Sequence, residues 1–156
     1  MSDQSLLRDA VDLARIHSAD GRNGPFGSVI ARDGQIVGRG WNRVVETCDP
    51  TAHAEVVAIR DAGRRLDTHV LHGCTIYCSC EPCPMCLSAI YWARIGRVVY
   101  ASTQEDARAA GFDDSHIHSE ISAPWTERAV AAVHVPIQEA REVLRKWREN
   151  PHRIEY

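Results

Sequence analysis

The chain has 156 residues, 44% hydrophobic and 25% charged, the balance of one folded globular domain, which excludes disordered and fibrous classes. Eighteen basic against 21 acidic residues leave a formal net charge of −3, so the phosphate-neutralising surface of a nucleic-acid binder is not expected. No apolar run reaches the ~18 residues of a membrane helix, and the polar start MSDQSLLRDA is unlike a signal peptide, so a cytoplasmic protein is expected.

Residues 3–18 place Leu6, Leu7, Ala10, Val11, Leu13, Ala14 and His17 at three- and four-residue intervals, the stripe of an amphipathic helix. Gly21 and Gly24-Pro25 end it. Residues 28–31 and 35–38 flank Asp33-Gly34, a two-residue hairpin turn, and the second strand is expected to run on toward Trp41 and Asn42. Asp49-Pro50-Thr51 breaks the chain, with Thr51 as N-cap of a helix over 52–65. Strands are then expected near 75–78, 97–101 and 129–135, and helices over 84–93, 104–110 and 138–149. Strands separated by helices imply right-handed crossovers. The predicted fold class is α/β, a three-layer α/β/α domain over residues 1–156 with a five-stranded mixed sheet, built as an N-terminal helix and hairpin followed by βαβαβα. The basic residues of the last helix (Arg141, Arg145, Lys146, Arg148) are interleaved with Glu139, Glu142 and Glu149 and read as a solvated face.

Four of the six cysteines, Cys78, Cys80, Cys83 and Cys86, fall within one short stretch. Without a secretory segment such a cluster points to metal binding or chemistry rather than to disulfides. Cys48 and Cys74 have no partner at a recognisable spacing and are expected to be small buried residues. Cys83 and Cys86 at the first turn of a helix present both sulfurs on one face, where the helix dipole favours the thiolates that zinc requires. Pro84 suits an early helical position. Two completions of the site are open. Cys78 and Cys80 would close a structural four-thiolate zinc; a histidine would leave the fourth position to water. The histidine candidate is His53 in Thr51-Ala52-His53-Ala54-Glu55, set apart by the acid two residues later. Glu55 then suits proton transfer beside zinc-bound water, whereas alone it reads as a first-turn acid on the helix dipole. The remaining histidines read as surface or core residues.

His53-Ala54-Glu55 followed by Pro82-Cys83-Pro84-Met85-Cys86 resembles the signature of the zinc-dependent nucleobase and nucleoside deaminases. Gly24-Pro25-Phe26-Gly27, Asp49-Pro50-Thr51, Ser79-Cys80-Glu81 and Ala110-Gly111-Phe112-Asp113-Asp114-Ser115 extend the resemblance, over nearly the whole chain, to the bacterial guanine deaminases of the cytidine-deaminase fold. The Gly-Phe-Asp-Asp piece is the most discriminating, although plant guanosine deaminases share it. The resemblance implies His53, Cys83 and Cys86 as ligands of one Zn2+ per chain, with water or hydroxide in the fourth position, and Glu55 as the proton shuttle. It implies Asp114 as a second carboxylate that contacts the ring and assists proton transfer to the leaving amine. Asn42 would hydrogen-bond the base, Phe26 and Trp92 would line its faces, and the backbone N–H of Ala54 would hold substrate or intermediate. Read singly, Phe26 and Trp92 are more often core residues, Asn42 a turn residue, and Asp113 or Asp114 a helix cap.

The implied partner is a small nucleobase or nucleoside, and the implied assembly a homodimer, in one form domain-swapped with residues 150–156 capping a neighbour's site. Tyr156 would then be a pocket residue. Cys78 departs from the family's pattern and keeps the closed site in play. The expected reaction is hydrolysis of guanine to xanthine and ammonia, with guanosine or another aminopurine, aminopyrimidine or triazine as alternatives. Two other classes compete: a non-catalytic zinc-stabilised binding domain, and an editing deaminase acting on a flipped base, which the charge balance disfavours.

Overall fold

The structure is a computed structural model that describes residues 1–155. They divide into two compact units, Met1–Asp114 and a second from Ser115 on. The first holds α1 (Asp3–His17), β1 (Gly27–Arg32), β2 (Gln35–Trp41), α2 (Val44–Thr47), α3 (Ala54–Leu66), β3 (Cys74–Cys80), α4 (Pro84–Trp92), β4 (Arg97–Ser102) and α5 (Gln104–Ala109). The strands form one mixed sheet in the order β2-β1-β3-β4. β1 pairs antiparallel with both β2 and β3, and β3 pairs parallel with β4. The hairpin turns where the sequence places it, with Asp33 (φ 51°) and Gly34 (φ 73°) both left-handed, the geometry that matches strand twist.

The central strand β1 is buried on both faces. Val29, Ala31 and Tyr77 pack with Leu6 and Ala10 of α1, while Ile30, Ile76 and Cys78 pack with Ala58 and Ala62 of α3 and Ile90 of α4. Helices therefore cover both faces, as expected. Two glycines set how closely they approach. A Cβ on Gly27 would collide with the carbonyl oxygen of Ala10 in α1, and one on Gly40 with the carbonyl oxygen of Ala54 in α3. α1 is further fixed by Asp3, which accepts from the Tyr77 hydroxyl at 2.7 Å and from Arg97 at 2.6 and 3.0 Å.

The second unit holds α6 (Ser115–Ser122), a 3-10 turn at Trp125–Glu127 and α7 (Gln138–Glu149), whose Arg145 pairs with Glu149 at 2.7 Å. The expected fifth strand over 129–135 is absent: the sheet of the described residues has four strands, and the βαβαβα run stops after its second helix, α5. Val130, Val133 and Val135 are exposed at 74, 85 and 68%. Their spacing alternates only once, and β-branched residues make a strand only where an edge offers a ladder. Two smaller expectations also change. Thr51 does not cap α3; it donates from its N–H (2.8 Å) and hydroxyl (2.6 Å) to Asp49 Oδ1, and the cap is His53. Cys74 is buried, but Cys48 is exposed in a left-handed position after α2. No helix among the described residues is long and apolar enough to cross a membrane.

Candidate active site and metal centre

Two helices of the first unit begin at the same place. His53 is the N-cap of α3 (φ −69°, ψ 156°) and Cys83 the N-cap of α4 (φ −65°, ψ 167°), and neither makes a side-chain capping hydrogen bond. N-caps are usually Ser, Thr, Asp or Asn, whose oxygen accepts from the first turn. Here the side chains face each other instead. His53 Nδ1 lies 3.6 Å from Cys83 Sγ and 3.5 Å from Cys86 Sγ. Pro84 occupies the first turn of α4, as its fixed φ suits, and Cys86 follows in the same turn, fully buried. Backbone bonds hold both approaches: Arg43 N–H to Ala52 O (2.9 Å), Glu81 N–H to Ser102 O (2.9 Å) and Gly27 N–H to Ser79 Oγ (3.0 Å).

The donor set fits zinc. The ligand atoms of His53, Cys83 and Cys86 all lie within 4.8 Å of one another, and theirs is the one such metal-binding group among the described residues. Zn–S bonds of about 2.3 Å and Zn–N bonds of about 2.0–2.1 Å in a tetrahedron require N···S separations of roughly 3.6 Å, close to those observed. The Cys83 thiol is lowered to about 4, first by its bond with Cys86 and further by His53, the direction that favours a ligating thiolate. The Cys86 proton is held more tightly, by that same bond and by burial, and its thiol donates to Glu55 Oε2 at 3.3 Å. Cys78 and Cys80 are not brought to this point. Cys78 Sγ contacts Ser28 Oγ at 3.7 Å, Cys80 donates to Thr103 O at 3.4 Å, and burial pushes both thiols up, away from the ligating form. The donors thus converge in the histidine-containing arrangement and not in the four-thiolate one.

Glu55 sits in the first turn of α3 and is 8% exposed. Burial raises its carboxyl above the usual range, partly offset by its own backbone N–H and by Cys86. A carboxyl whose proton affinity is raised in this way is suited to take a proton.

A cavity of about 430 Å³ opens onto the cluster. Of the residues singled out from sequence, Phe26, Asn42, His53, Glu55, Cys83 and Asp114 line it. Asn42 Oδ1 accepts from the backbone N–H of Gly24 (3.3 Å) and Val44 (3.4 Å), so the NH2 end is what the amide can offer a ligand. Ala54 is the buried first residue of α3. Trp92, the last residue of α4, is 63% exposed and is not among the cavity's lining residues, and Tyr156 lies outside the described residues. Cys80, a candidate ligand of the four-thiolate alternative, also lines it, and among the lining residues given no role from sequence are Phe112, Gln104 and Glu81. Phe112 meets Phe26 edge-to-face with centroids 4.9 Å apart; its place in Gly111-Phe112-Asp113-Asp114 was the available signal. Gln104 and Glu81 carry no sequence signal of their own. Glu55, Glu81, Asp113 and Asp114 all line the cavity and no lysine or arginine does, so it favours a neutral or cationic ligand.

A sequence profile of the cytidine and deoxycytidylate deaminase zinc-binding region matches residues 1–102. The chain is 47% identical to the guanine deaminase of Bacillus subtilis (strain 168), over the full length of both. It is also similar to a solved guanine deaminase structure from Bacillus subtilis (TM-score 0.96, 47% identity, 100% of this chain and 99% of that one). A solved guanine deaminase from Nitrosomonas europaea is more distant (TM-score 0.67, 32% identity, 72% of this chain and 65% of that one). The chain belongs to the zinc-binding cytidine and deoxycytidylate deaminase family, within which it groups with guanine deaminases.

Proposed function

We propose that this protein hydrolyses guanine to xanthine and ammonia, with one Zn2+ held by His53, Cys83 and Cys86. The observation that carries the reading is Glu55, a buried carboxyl two residues from the histidine and 3.3 Å from Cys86 Sγ, facing the cavity. The full-length likeness to a guanine deaminase supports the choice of ring.

When bound, the ion supplies a Lewis acid that acidifies a coordinated water. The chain does the rest. Glu55 takes the proton of the attacking water, a step its raised affinity for a proton suits, and passes it to a ring nitrogen. Asp114, across the cavity, contacts the ring and relays a proton to the exocyclic amine, which leaves as ammonia. Phe26 packs on a ring face, the Asn42 NH2 donates to an acceptor of the base, and the Ala54 N–H, at a helix start, holds developing negative charge. The narrower assembly is part of the same proposal: a homodimer in which residues 150–156 reach a neighbour's site, with Tyr156 a pocket residue there. Exposed apolar side chains in each unit support it, Leu87, Tyr91 and Trp92 in the first and Val143, Leu144 and Trp147 in the second.

The test is Glu55→Gln, which keeps the shape and removes the transferable proton. Turnover of guanine is expected to fall by about 10²–10⁴ with zinc content unchanged. Near-normal turnover at full zinc occupancy would show that Glu55 is not the proton carrier.

A further inference from the structure

Asp114 has to be held still to serve as a proton relay, and it lies in the turn that follows α5, away from the rigid sheet. Gln104, the first residue of α5, donates from its side-chain Nε2 to Asp114 Oδ1, and both line the cavity. Gln104 itself is anchored on two sides. Its backbone N–H donates to Glu81 Oε2 at 3.1 Å, and Glu81 stands two residues before Cys83. Thr103, the preceding N-cap, closes a capping box with Asp106: its N–H and hydroxyl each donate to Asp106 Oδ2 at 2.8 Å, and the Asp106 N–H returns to Thr103 Oγ1 at 3.3 Å. The turn carrying Asp114 is pinned at a second point. Phe112 N–H donates to Ala107 O at 3.0 Å and its ring meets Phe26.

We infer that Gln104 is the positioning residue of the deamination, its amide N–H fixing the Asp114 carboxylate toward the ring while Glu81 ties α5 to the loop that bears Cys83. The inference deepens the proposed reaction and rests on it. A neutral amide suits the role for a chemical reason. It can only donate through its nitrogen, so it binds the carboxylate as an acceptor without competing for the proton that the carboxylate must pass on. Glutamate in the same place would set two carboxylates against each other, and a shorter or apolar side chain would remove the donor that holds Asp114 Oδ1.

The experiment is a double-mutant cycle between Gln104→Ala and Asp114→Ala, with ammonia release followed under single-turnover conditions so that slow variants stay measurable. Guanine, guanosine and cytidine are run in parallel. Gln104→Ala alone is expected to lower kcat about tenfold with KM within about twofold, and with zinc content and Tm unchanged. In the Asp114→Ala background the same change is expected to cost nothing further. Gln104→Leu, similar in length but without the donor, should behave like Gln104→Ala; Gln104→Asn should recover little, because it falls one methylene short. Equal losses in both backgrounds, or no loss in either, overturn the inference. A wild-type chain that deaminates guanosine or cytidine but not guanine overturns the choice of ring alone, and the coupling is then read on the ring it accepts. A wild-type chain inert on all three overturns both.

Discussion

His53 and Cys83 stand at the same position in two different helices, the last extended residue before the first turn, and their side chains meet at 3.6 Å. Each gives up the capping bond that a serine or aspartate would make there. The first-turn N–H groups of both helices, and the positive ends of both dipoles, are thereby gathered around one point. That field favours anions: a ligand thiolate, a hydroxide, or the charge that develops on a ring under attack.

The metal centre gives the sharpest test of this pairing. His53→Ala, Cys83→Ser or Cys86→Ser should each abolish stoichiometric zinc in the purified protein, whereas Cys78→Ala and Cys80→Ser should retain it. Metal analysis by atomic emission reads the result directly. Zinc that survives His53→Ala but is lost in Cys78→Ala would restore the four-thiolate centre.

Gly40 controls the same site from behind. Its missing side chain lets β2 lie against the carbonyl of Ala54, in the first turn of the helix that His53 caps. Gly40→Ala must push α3 away from the sheet, an overpacking cost of typically 1–3 kcal/mol. We expect a lower Tm together with weaker zinc retention under chelator competition. Val29→Ala, a cavity in the opposite layer against α1, should lower Tm and leave zinc retention as it is. Equal zinc loss in both variants would mean that the metal reports general stability and not the seating of α3.

Much of the first unit was legible in the sequence. The stripe of α1, the Asp33-Gly34 turn and the Pro-Cys-x-x-Cys start of α4 are local signals, carried by periodicity or turn chemistry within a few residues. Cys83 and Cys86 were legible from their spacing, whereas spacing left His53 and the four-thiolate completion both open and the family resemblance chose between them. What escaped depends on contacts distant in sequence. The fifth strand failed because apolar β-branched residues do not say whether an edge awaits them. Thr51 lost the cap of α3 because Asp49 offered it a closer partner and because His53 was needed at the cap position. Gln104 and Glu81 are ordinary polar residues; only the fold shows that they face Asp114 and the helix start.

The tie between α1 and the sheet makes a pH prediction. Arg97, and then Tyr77, hold the Asp3 carboxyl down at about 2, against an ordinary value of 3.8. A carboxyl depressed in the folded state contributes stability fully above its unfolded value and loses it as pH falls through the folded one. Asp3→Asn should therefore lower Tm at neutral pH, with the difference from wild type closing between about pH 4 and about pH 2. A difference that stays constant across that window would mean that the carboxylate's charge contributes nothing there.

The most direct measurement is ammonia and xanthine release by the zinc-loaded protein from guanine, set beside guanosine, adenine, cytidine and a nucleoside monophosphate, with Glu55→Gln as the blank. Guanine should be turned over, the monophosphate should be rejected by a cavity bearing four carboxylates and no lysine or arginine among its described lining residues, and the blank should be silent. Turnover of adenine or cytidine with none of guanine, or equal release by Glu55→Gln, would contradict the proposed function.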